Sequence, residues 1–584
     1  MNPPLPPQVQ QQLQLAIQCH SQGALESAKN LYEAVLKTAP QSFDALNNLA
    51  LIESQTGRLH VATGLMRRAV ALEPHHASAL NNLAYNLQQL GQTDEAIRLY
   101  RQGLAIHPQD ADLRNNLGLL LKQLERLDEA LACFEEGLAK TPNDLTLQAN
   151  RANVLQAIGR AEEALAQYNQ ALALSPKHPV LWTNRARALQ DLKRHAEALA
   201  SCDQALASKP DHTQAWIEKG HTLRALGQGG DARDAYRQAL RANPDHHVAL
   251  ASLAALALSE GADETTILEQ SARSLQQHQA NTHGQRWHTG QVVSLAAFKL
   301  RHDLQQALYL AEQGIAVPGL HAFTETAQRL LATEDPGAVG GLLNVDGSDM
   351  TRMQPYLLAH VQPALPRLPH CLNPDLDWAG LEADYLGRNP ELLVIDGFLS
   401  PAALAAFQRY CYAAKVWHTT YANAYLGAFA NQGFVTPLHL QLAEELKARM
   451  PRVFLDYALN QLWGFKYEPL MTKGINVHAD FAKVNLNFWI TPNEHNLDPS
   501  SGGLKVYQVP APGDWTFEQY NIDAQGIYSF LAQHQSSHVT VPHRCNRAVL
   551  FNSALFHETD TIRFAPGYLS RRINMTYLFG KQLL

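Results

Sequence analysis

The sequence predicts a multidomain protein in which an all-α array of helix pairs precedes a β-sandwich or jelly-roll domain with flanking helices. Small residues and prolines recur at one fixed interval through the first half, and the apolar pattern changes to short alternating segments near residue 390. The length of 584 residues also exceeds what one core ordinarily holds. We therefore expect the repeat array over residues 1–280, a helical connection over 281–389 and the sheet domain over 390–584.

The repeat is marked by prolines that follow one another at 34-residue steps: Pro40, Pro74, Pro108, Pro142, Pro176, Pro210 and Pro244. Small residues keep the same phase in a second column: Ala16, Ala50, Ala84, Gly118, Ala152, Ala186 and Gly220. Small side chains let helix axes approach, and proline punctuates the turn that follows. The period resembles that of the tetratricopeptide family over roughly residues 9–246. The phase decays at Thr266 and His278, which predicts a terminal capping repeat.

An asparagine column stands two residues before the small-residue column: Asn48, Asn82, Asn116, Asn150 and Asn184. Asparagine is a mediocre helix former, so helix propensity does not explain its recurrence. The resemblance implies that this position faces the concave groove, and the column resembles the asparagine ladder of O-GlcNAc transferase. Because a side-chain amide carries both a donor and an acceptor, such a column predicts binding of an extended peptide backbone. The alternative is that these asparagines only cap and solvate the groove.

Strand-like segments dominate from residue 391 onward. Two amphipathic segments come first and predict helices, "SPAALAAFQRYCYAA" with Ser400 as N-cap and "LHLQLAEELKARM". Short aromatic and β-branched segments follow: "QLWGFKYEP", "INVHADFAKVNLNFWIT", "GGLKVYQV", "RAVLFNSALFHET" and "RRINMTYLFG". Strands in series after two helices favour a sandwich or jelly roll.

A candidate metal site lies within these strands. If residues 475–491 form one strand, alternation sends His478 and Asp480 to the same face while Ala479 points away. His557 follows on a later strand. Two histidines and one carboxylate are the facial set that holds ferrous iron with open coordination positions. A zinc hydrolase with the same ligands is the alternative, and a single His is more often a surface or hydrogen-bonded core residue.

The order of segments around these ligands carries a family resemblance. Over roughly residues 390–584 the order of segments resembles that of Fe(II)/2-oxoglutarate-dependent oxygenases, most nearly the prolyl-hydroxylase-like branch. The segments are Tyr467, "LNFWIT", "SGGLKVY", "NRAVLFNSALFHET" and "RRINMTYLF". The resemblance implies a double-stranded β-helix (jelly roll) and an Fe(II) centre held by His478, Asp480 and His557. It also implies 2-oxoglutarate and O2 as co-substrates, with hydroxylation as the reaction.

The last strand offers two arginines for the 2-oxoglutarate carboxylate. Arg572, Asn574 and Thr576 share one face of "RRINMTYLF", and Arg571 lies on the other face with apolar residues. Since a buried carboxylate needs a cationic fork, we assign Arg572 to it, with Asn574 and Tyr467 as helpers. The alternative is that both arginines are surface charges. The same two-residue phase leaves Asn485 and Asn487 out of the predicted site, and the insertion near 511–540 is either a lid or a packed decoration.

Charge and cysteine usage exclude several function classes. The net charge of −7 and the lack of a long basic run argue against nucleic acid or an anionic membrane as a partner. Six scattered cysteines without a CxxC pair favour a reducing compartment. Neither a signal-peptide pattern nor a long apolar stretch stands out, so we expect a cytoplasmic protein.

Together the two halves predict a 2-oxoglutarate-dependent hydroxylase whose protein or peptide substrate is recruited in the repeat groove. Relatives that join the same two modules, such as collagen prolyl hydroxylases, point the same way. One alternative is a non-catalytic repeat scaffold or sensor with a remnant oxygenase domain. Another is a hydroxylase of a small metabolite or glycan.

Overall fold

The computed structural model describes residues 6–284, 292–332, 341–421, 423–469 and 471–580. These residues form two compact units. The helical unit contains residues 6–242 with the short segments 292–293 and 344–351. The sheet unit contains residues 243–284, 294–332, 341–343 and the described residues from 352 to 580.

The helical unit is built from antiparallel helix pairs. Its helices are α1 (Pro7–Ser21), α2 (Leu25–Thr38), α3 (Phe43–Gln55), α4 (Leu59–Leu72), α5 (Ala77–Gln89), α6 (Thr93–Ile106), α7 (Ala111–Gln123), α8 (Leu127–Leu138), α9 (Leu145–Ala157), α10 (Ala161–Leu174), α11 (Pro179–Asp191), α12 (His195–Ser208), α13 (Thr213–Ala225) and α14 (Gly229–Ala242). Each pair packs on the next, so a continuous core runs through the array.

The small-residue column lies where the two helices of a pair approach most closely. Ala16, Ala84 and Ala152 are completely buried. At Gly118 a Cβ atom would lie 2.4 Å from the Phe134 ring. At Gly118 the Phe134 ring therefore occupies the space that a methyl group would need.

The remaining helices are α15 (His247–Ser259), α16 (Glu264–His283), α17 (Ala297–Glu312), α18 (Leu320–Leu331), α19 (Gly347–Leu358), α20 (Trp378–Gly387), α21 (Pro401–Ala413), α22 (Pro437–Arg449), α23 (Pro451–Phe454) and α24 (Ala524–Gln533). The strands are β1 (Val292–Ala296), β2 (Leu342–Asp346), β3 (Leu392–Asp396), β4 (Thr419–Tyr421), β5 (Tyr425–Phe429), β6 (Leu459–Tyr467), β7 (Val484–Trp489), β8 (Leu504–Pro510), β9 (His538–Val541), β10 (Arg547–Asn552), β11 (Leu555–Thr559) and β12 (Ile573–Phe579).

Two antiparallel sheets form the centre of the sheet unit. The large sheet has the order β3-β10-β7-β12-β6-β5-β4, and the small sheet has the order β11-β8-β9. Apolar side chains from both sheets, among them Trp489, Val506 and Phe551, form one cluster between them. The outer face of the large sheet is covered by helices, including α21, whose first turn is capped by Ser400 as predicted. The chain is thus a helical repeat solenoid followed by a sheet-rich region.

The boundary between the units differs from the expected one near residue 280. Helices α15 and α16, which the decaying phase predicts as a capping repeat, belong to the sheet unit. Leu275 of α16 lies in the sheet unit's core against Gly433, and Ser271 accepts a hydrogen bond from the Gly433 amide at 3.0 Å. The predicted connection over 281–389 also contains β1 and β2, which pair with each other. These two short strands have no alternating polar pattern that predicts them.

Candidate metal and cofactor site

The three predicted ligands converge although they do not lie on one strand. Strand β7 begins at Val484, so the expectation of a continuous strand through His478 and Asp480 is wrong. His478 instead forms an isolated antiparallel bridge with His557 of β11, and the two residues exchange backbone hydrogen bonds of 3.0 and 2.8 Å. The Asp480 amide donates to the Ser553 carbonyl at 3.1 Å, which holds the carboxylate beside the bridge.

The ligand atoms of His478, Asp480 and His557 all lie within 4.8 Å of one another. Oδ1 of Asp480 lies 3.9 Å from Nε2 of His478, and Oδ2 lies 3.4 Å from Nε2 of His557. Each histidine Nδ1 lies close to a backbone carbonyl, that of Asn476 at 2.8 Å and that of Leu555 at 3.1 Å. Because a carbonyl can only accept, each Nδ1 donates, and Nε2 is the ring nitrogen that faces the cluster.

The protonation states fit metal binding. Burial, together with neighbouring His557, lowers the pKa of His478 to about 4, so its imidazole is neutral near pH 7. Burial alone would raise the pKa of Asp480. The neighbouring His557 and His478 side chains and the hydrogen bond from Asn485 outweigh burial and hold the pKa of Asp480 below its usual range. Neutral imidazoles and an ionised carboxylate are the forms that coordinate a divalent first-row metal.

Arg572 places an uncompensated positive charge in the same cleft. Its guanidinium is 1% exposed and donates to the carbonyls of Gly502 (2.6 Å) and Gly503 (3.2 Å) and to Oδ1 of Asn574 (3.1 Å). It also lies 4.7 Å from the centre of the Tyr467 ring. Within the described part of the chain no carboxylate forms an ion pair with it. A buried guanidinium with only neutral partners fits an anionic ligand such as a carboxylate.

Arg571 has a different environment and already has its counter-ion. It is equally buried, but its guanidinium donates to Glu468 at 2.9 Å and to Gln305 at 2.8 Å. Arg572 lines the cleft that contains the metal ligands, and Arg571 is not among the residues that line it. The contrast favours the assignment of Arg572 to the cofactor carboxylate.

The cleft has a volume of about 470 Å³ and joins the ligand cluster to Arg572, Asn574 and Tyr467. The Tyr467 hydroxyl lies 3.4 Å from Oγ1 of Thr559. The aromatic side chains of Tyr421, Phe429, Trp463 and Phe465 line its outer part. Apart from the metal ligands and Arg572, the described lining residues are uncharged, so the outer cleft suits a neutral substrate group.

Two residues of the site were left out by the sequence-based phase argument. Asn485 donates to Oδ2 of Asp480 at 2.6 Å, and Asn487 donates to Oδ1 of Asn485 at 2.6 Å. Both are buried on β7. The prediction was wrong because Asp480 precedes β7. Whether its residue number is odd or even therefore does not indicate which face of β7 a side chain is on. Two asparagines two residues apart in an otherwise apolar strand were the available signal.

The insertion near 511–540 packs against the ligand segment. The Ala479 amide donates to the Tyr520 carbonyl at 2.8 Å, and Nδ2 of Asn521 donates to the Ala479 carbonyl at 3.0 Å. The insertion therefore holds both the N–H and the C=O of Ala479, the residue between His478 and Asp480. Phe517 and Ile522 of the same insertion are exposed and line the cleft. The insertion thus both supports the ligands and forms part of the cleft wall.

The asparagine column of the helical unit is half-buried and divides into two groups. Nδ2 of Asn116 donates to Asn81 at 2.9 Å, and Nδ2 of Asn150 donates to Asn115 at 2.6 Å, so these amides connect neighbouring repeats. Nδ2 of Asn184 lies 3.4 Å from Oδ1 of Asn153. The side chains of Asn48 and Asn82 form no hydrogen bond with the described residues and keep donor and acceptor available.

Comparison with known proteins identifies the repeats. Residues 6–177, 150–213 and 213–256 match family models described as tetratricopeptide repeat, so residues 6–256 are tetratricopeptide repeats, as predicted. No curated protein matches the chain. Among the described residues, every helix is too short or too polar to cross a bilayer.

Several solved structures are similar to part of the chain. A tetratricopeptide repeat protein from Parabacteroides merdae is 20% identical with a TM-score of 0.36, covering 42% of this chain and 97% of that one. YrrB, a TPR protein with an unusual peptide-binding site, is 21% identical with a TM-score of 0.28, covering 34% and 97%. PilW, a type IV pilus biogenesis factor, is 24% identical with a TM-score of 0.32, covering 35% and 94%.

Proposed function

We propose that the protein is an Fe(II)/2-oxoglutarate-dependent dioxygenase that hydroxylates a protein or peptide substrate recruited by its repeats. One observation carries the proposal: a His-Asp-His cluster and a buried arginine without a carboxylate partner line the same cleft. A two-sheet sandwich of the double-stranded β-helix type is the scaffold that fits this arrangement.

The residues present fit the metal and the co-substrate. Nε2 of His478, Nε2 of His557 and the Asp480 carboxylate would hold ferrous iron, and Arg572 over the Tyr467 ring would orient the distal carboxylate of 2-oxoglutarate. When bound, iron and 2-oxoglutarate supply the oxidation, in which O2 is consumed, 2-oxoglutarate becomes succinate and CO2, and a substrate C–H becomes C–OH. The aromatic outer wall excludes water and positions a neutral substrate group next to the ligand cluster.

A zinc hydrolase is the competing use of these ligands. Hydrolysis has no need of a buried guanidinium that lacks an anion, and Arg572 is 1% exposed with only neutral partners. The unpaired charge therefore favours a carboxylate co-substrate. The two activities separate experimentally, because a hydrolase produces no succinate.

The test is substrate-independent turnover of 2-oxoglutarate by the full chain. With ferrous iron and ascorbate, the wild-type protein should form succinate, and Asp480→Ala should form none because the carboxylate ligand is lost. Arg388→Ala is the matched control, since it removes an ion pair with Asp384 of α20 and leaves every residue of the cleft in place. Equal succinate from wild type and Asp480→Ala would refute the oxygenase proposal.

The second half of the proposal is polypeptide recruitment by the repeats. The amides of Asn48 and Asn82 are available to pair with a peptide backbone, and each lost pair costs about 1 kcal/mol. The double variant Asn48→Ala/Asn82→Ala should bind a hydroxylated partner about tenfold or more weakly while substrate-independent succinate formation stays unchanged. Partners are found as proteins that gain one oxygen by mass spectrometry after incubation with wild type but not with Asp480→Ala. Unchanged partner affinity in the double variant would make the column structural.

A further inference from the structure

We infer that three buried asparagines, Asn574, Asn487 and Asn485, form a relay that couples the cofactor arginine to the metal-ligating carboxylate. The inference rests on the proposed function, because it assigns positioning roles around the same site. It concerns residues that contact one another in the core of the large sheet, on strands β7 and β12. We name these three residues the amide relay.

The relay is a continuous series of hydrogen bonds. Nη1 of Arg572 donates to Oδ1 of Asn574 at 3.1 Å, and Nδ2 of Asn574 lies 3.5 Å from Oδ1 of Asn487. Nδ2 of Asn487 donates to Oδ1 of Asn485 at 2.6 Å, and Nδ2 of Asn485 donates to Oδ2 of Asp480 at 2.6 Å. Every amide thus accepts on the side of the cation and donates on the side of the anion. In such a series each bond polarises the next.

The orientation of each amide is fixed by the groups at its two ends. Asp480 is an acceptor, so Asn485 must turn its NH2 group toward it and its oxygen toward Asn487. Oδ1 of Asn485 can only accept, so Asn487 must turn its NH2 group toward it, and its own Oδ1 then accepts from the Thr576 hydroxyl at 2.6 Å. A reversed amide at either position would bring two acceptors or two donors together.

The side chains of the amide relay are too buried to be explained as polar groups that face solvent. Asn485, Asn487 and Asn574 are 0%, 4% and 4% exposed. Asparagine is unfavourable in strands, and apolar residues fill the same sheet on its other face. The relay holds one oxygen of Asp480 in place, which fixes the rotation of the carboxylate toward both imidazoles. It also fixes the guanidinium plane of Arg572 from the opposite end.

The decisive variant is Asn487→Leu, which has similar shape and breaks the middle of the relay. Asn487 forms no hydrogen bond with Asp480 or Arg572, so an effect on the Asp480 carboxylate passes through Asn485. Because Asn487 also lines the cleft, the Kd for Mn(II) measured without 2-oxoglutarate is the deciding measurement. Manganese(II) replaces iron, and binding to the full chain is measured by calorimetry without oxygen. We expect the Kd for Mn(II) to rise about tenfold or more, the size typical of lost outer contacts to metal ligands. The Kd for 2-oxoglutarate, measured with Mn(II) saturating, should rise several-fold in the same variant.

Thr491→Val is the matched control, because it removes two buried hydrogen bonds in the same sheet, to the Arg571 carbonyl and from the Ile573 amide, outside the relay. It should lower the melting temperature and leave the Mn(II) Kd within twofold of wild type. Should Asn487→Leu fail to fold, Asn487→Ala provides the test, with a tenfold rise in the Mn(II) Kd expected. Asn485 is not used for this purpose, because it bonds Asp480 directly. A relay variant that melts at a lower temperature but binds Mn(II) and 2-oxoglutarate within twofold of wild type overturns the inference. Wild-type protein that binds neither ligand overturns the proposed function instead.

Discussion

The neighbouring arginines that directly precede β12 should respond differently to the same substitution. In Arg571→Met the buried Glu468 carboxylate loses a partner at 2.9 Å, and both side chains are at most 4% exposed. Breaking a buried ion pair costs about 3–5 kcal/mol of unfolding free energy when the remaining charge has no other partner. Because Nη1 of Arg301 stays 4.0 Å from the Glu468 carboxylate, we expect a loss near the lower end of that range. In Arg572→Met three hydrogen bonds from a charged guanidinium to neutral acceptors are lost, each worth about 1.5–3 kcal/mol. Removal of a buried charge that has no carboxylate in an ion pair with it offsets several kcal/mol of that loss, so the net change in unfolding free energy should be small.

The affinity for 2-oxoglutarate should depend more on Arg572 than on Arg571, the reverse of the order expected for stability. Arg572→Met should raise the Kd for 2-oxoglutarate by about 30-fold or more, since truncating one partner of a buried charge pair costs at least about 2 kcal/mol. Arg571→Met should leave that Kd nearly unchanged, because Arg571 faces Glu468 and not the cleft. Urea unfolding of the full chain measures stability, and calorimetry with Mn(II) present measures 2-oxoglutarate binding. Equal destabilisation by the two substitutions, or a larger loss of 2-oxoglutarate affinity in Arg571→Met, would refute this reasoning.

Three further predictions concern packing and pH. Gly118→Ala should cost about 1–3 kcal/mol because the new methyl group meets the Phe134 ring, and adding Phe134→Leu should restore part of the loss in urea titrations. Burial lowers the pKa of His439 to about 3 from 6.5, so the unfolded state takes up the proton first and stability falls as pH drops below about 6.5. His439→Phe should therefore remove about 2–3 kcal/mol of the stability difference between about pH 7.5 and about pH 4.5. His212 caps α13 through Nδ1, and burial lowers its pKa, so protonation on acidification removes the cap. His212→Asp should stabilise α13 by about 0.5–1 kcal/mol and move the acid loss of the cap to lower pH, and Asp110 caps the equivalent helix α7.

Periodic features were predictable from the sequence because each repeat packs its two helices in the same way. The small residues at Ala84 and Gly118 and the cap at Ser400 follow from local sterics and hydrogen bonding alone. The ligand types at the candidate metal site were also readable, since few other patterns place two histidines and an aspartate in this order.

Long-range register was not predictable. Asp480 reaches the cluster through a bond with Ser553, more than seventy residues away, and not through the alternation of its own strand. The phase argument therefore excluded Asn485 wrongly. Likewise, α16 joins the sheet unit through Leu275 and Ser271, contacts that no repeat pattern encodes. In both places tertiary contacts decide what the local sequence leaves open.

The backbone bridge between His478 and His557 has a consequence for the kinetics of metal exchange. Their amides and carbonyls pair with each other, so the distance between the two imidazoles is set by the chain and not by an ion. The two imidazoles are therefore already in position when a cation binds, and the chain does not have to fold around the ion. Loading should be limited by the release of water from the ion, and removal with a chelator should leave a folded protein that regains activity when metal is added back. Repeated cycles of stripping and reloading would then recover the same activity each time.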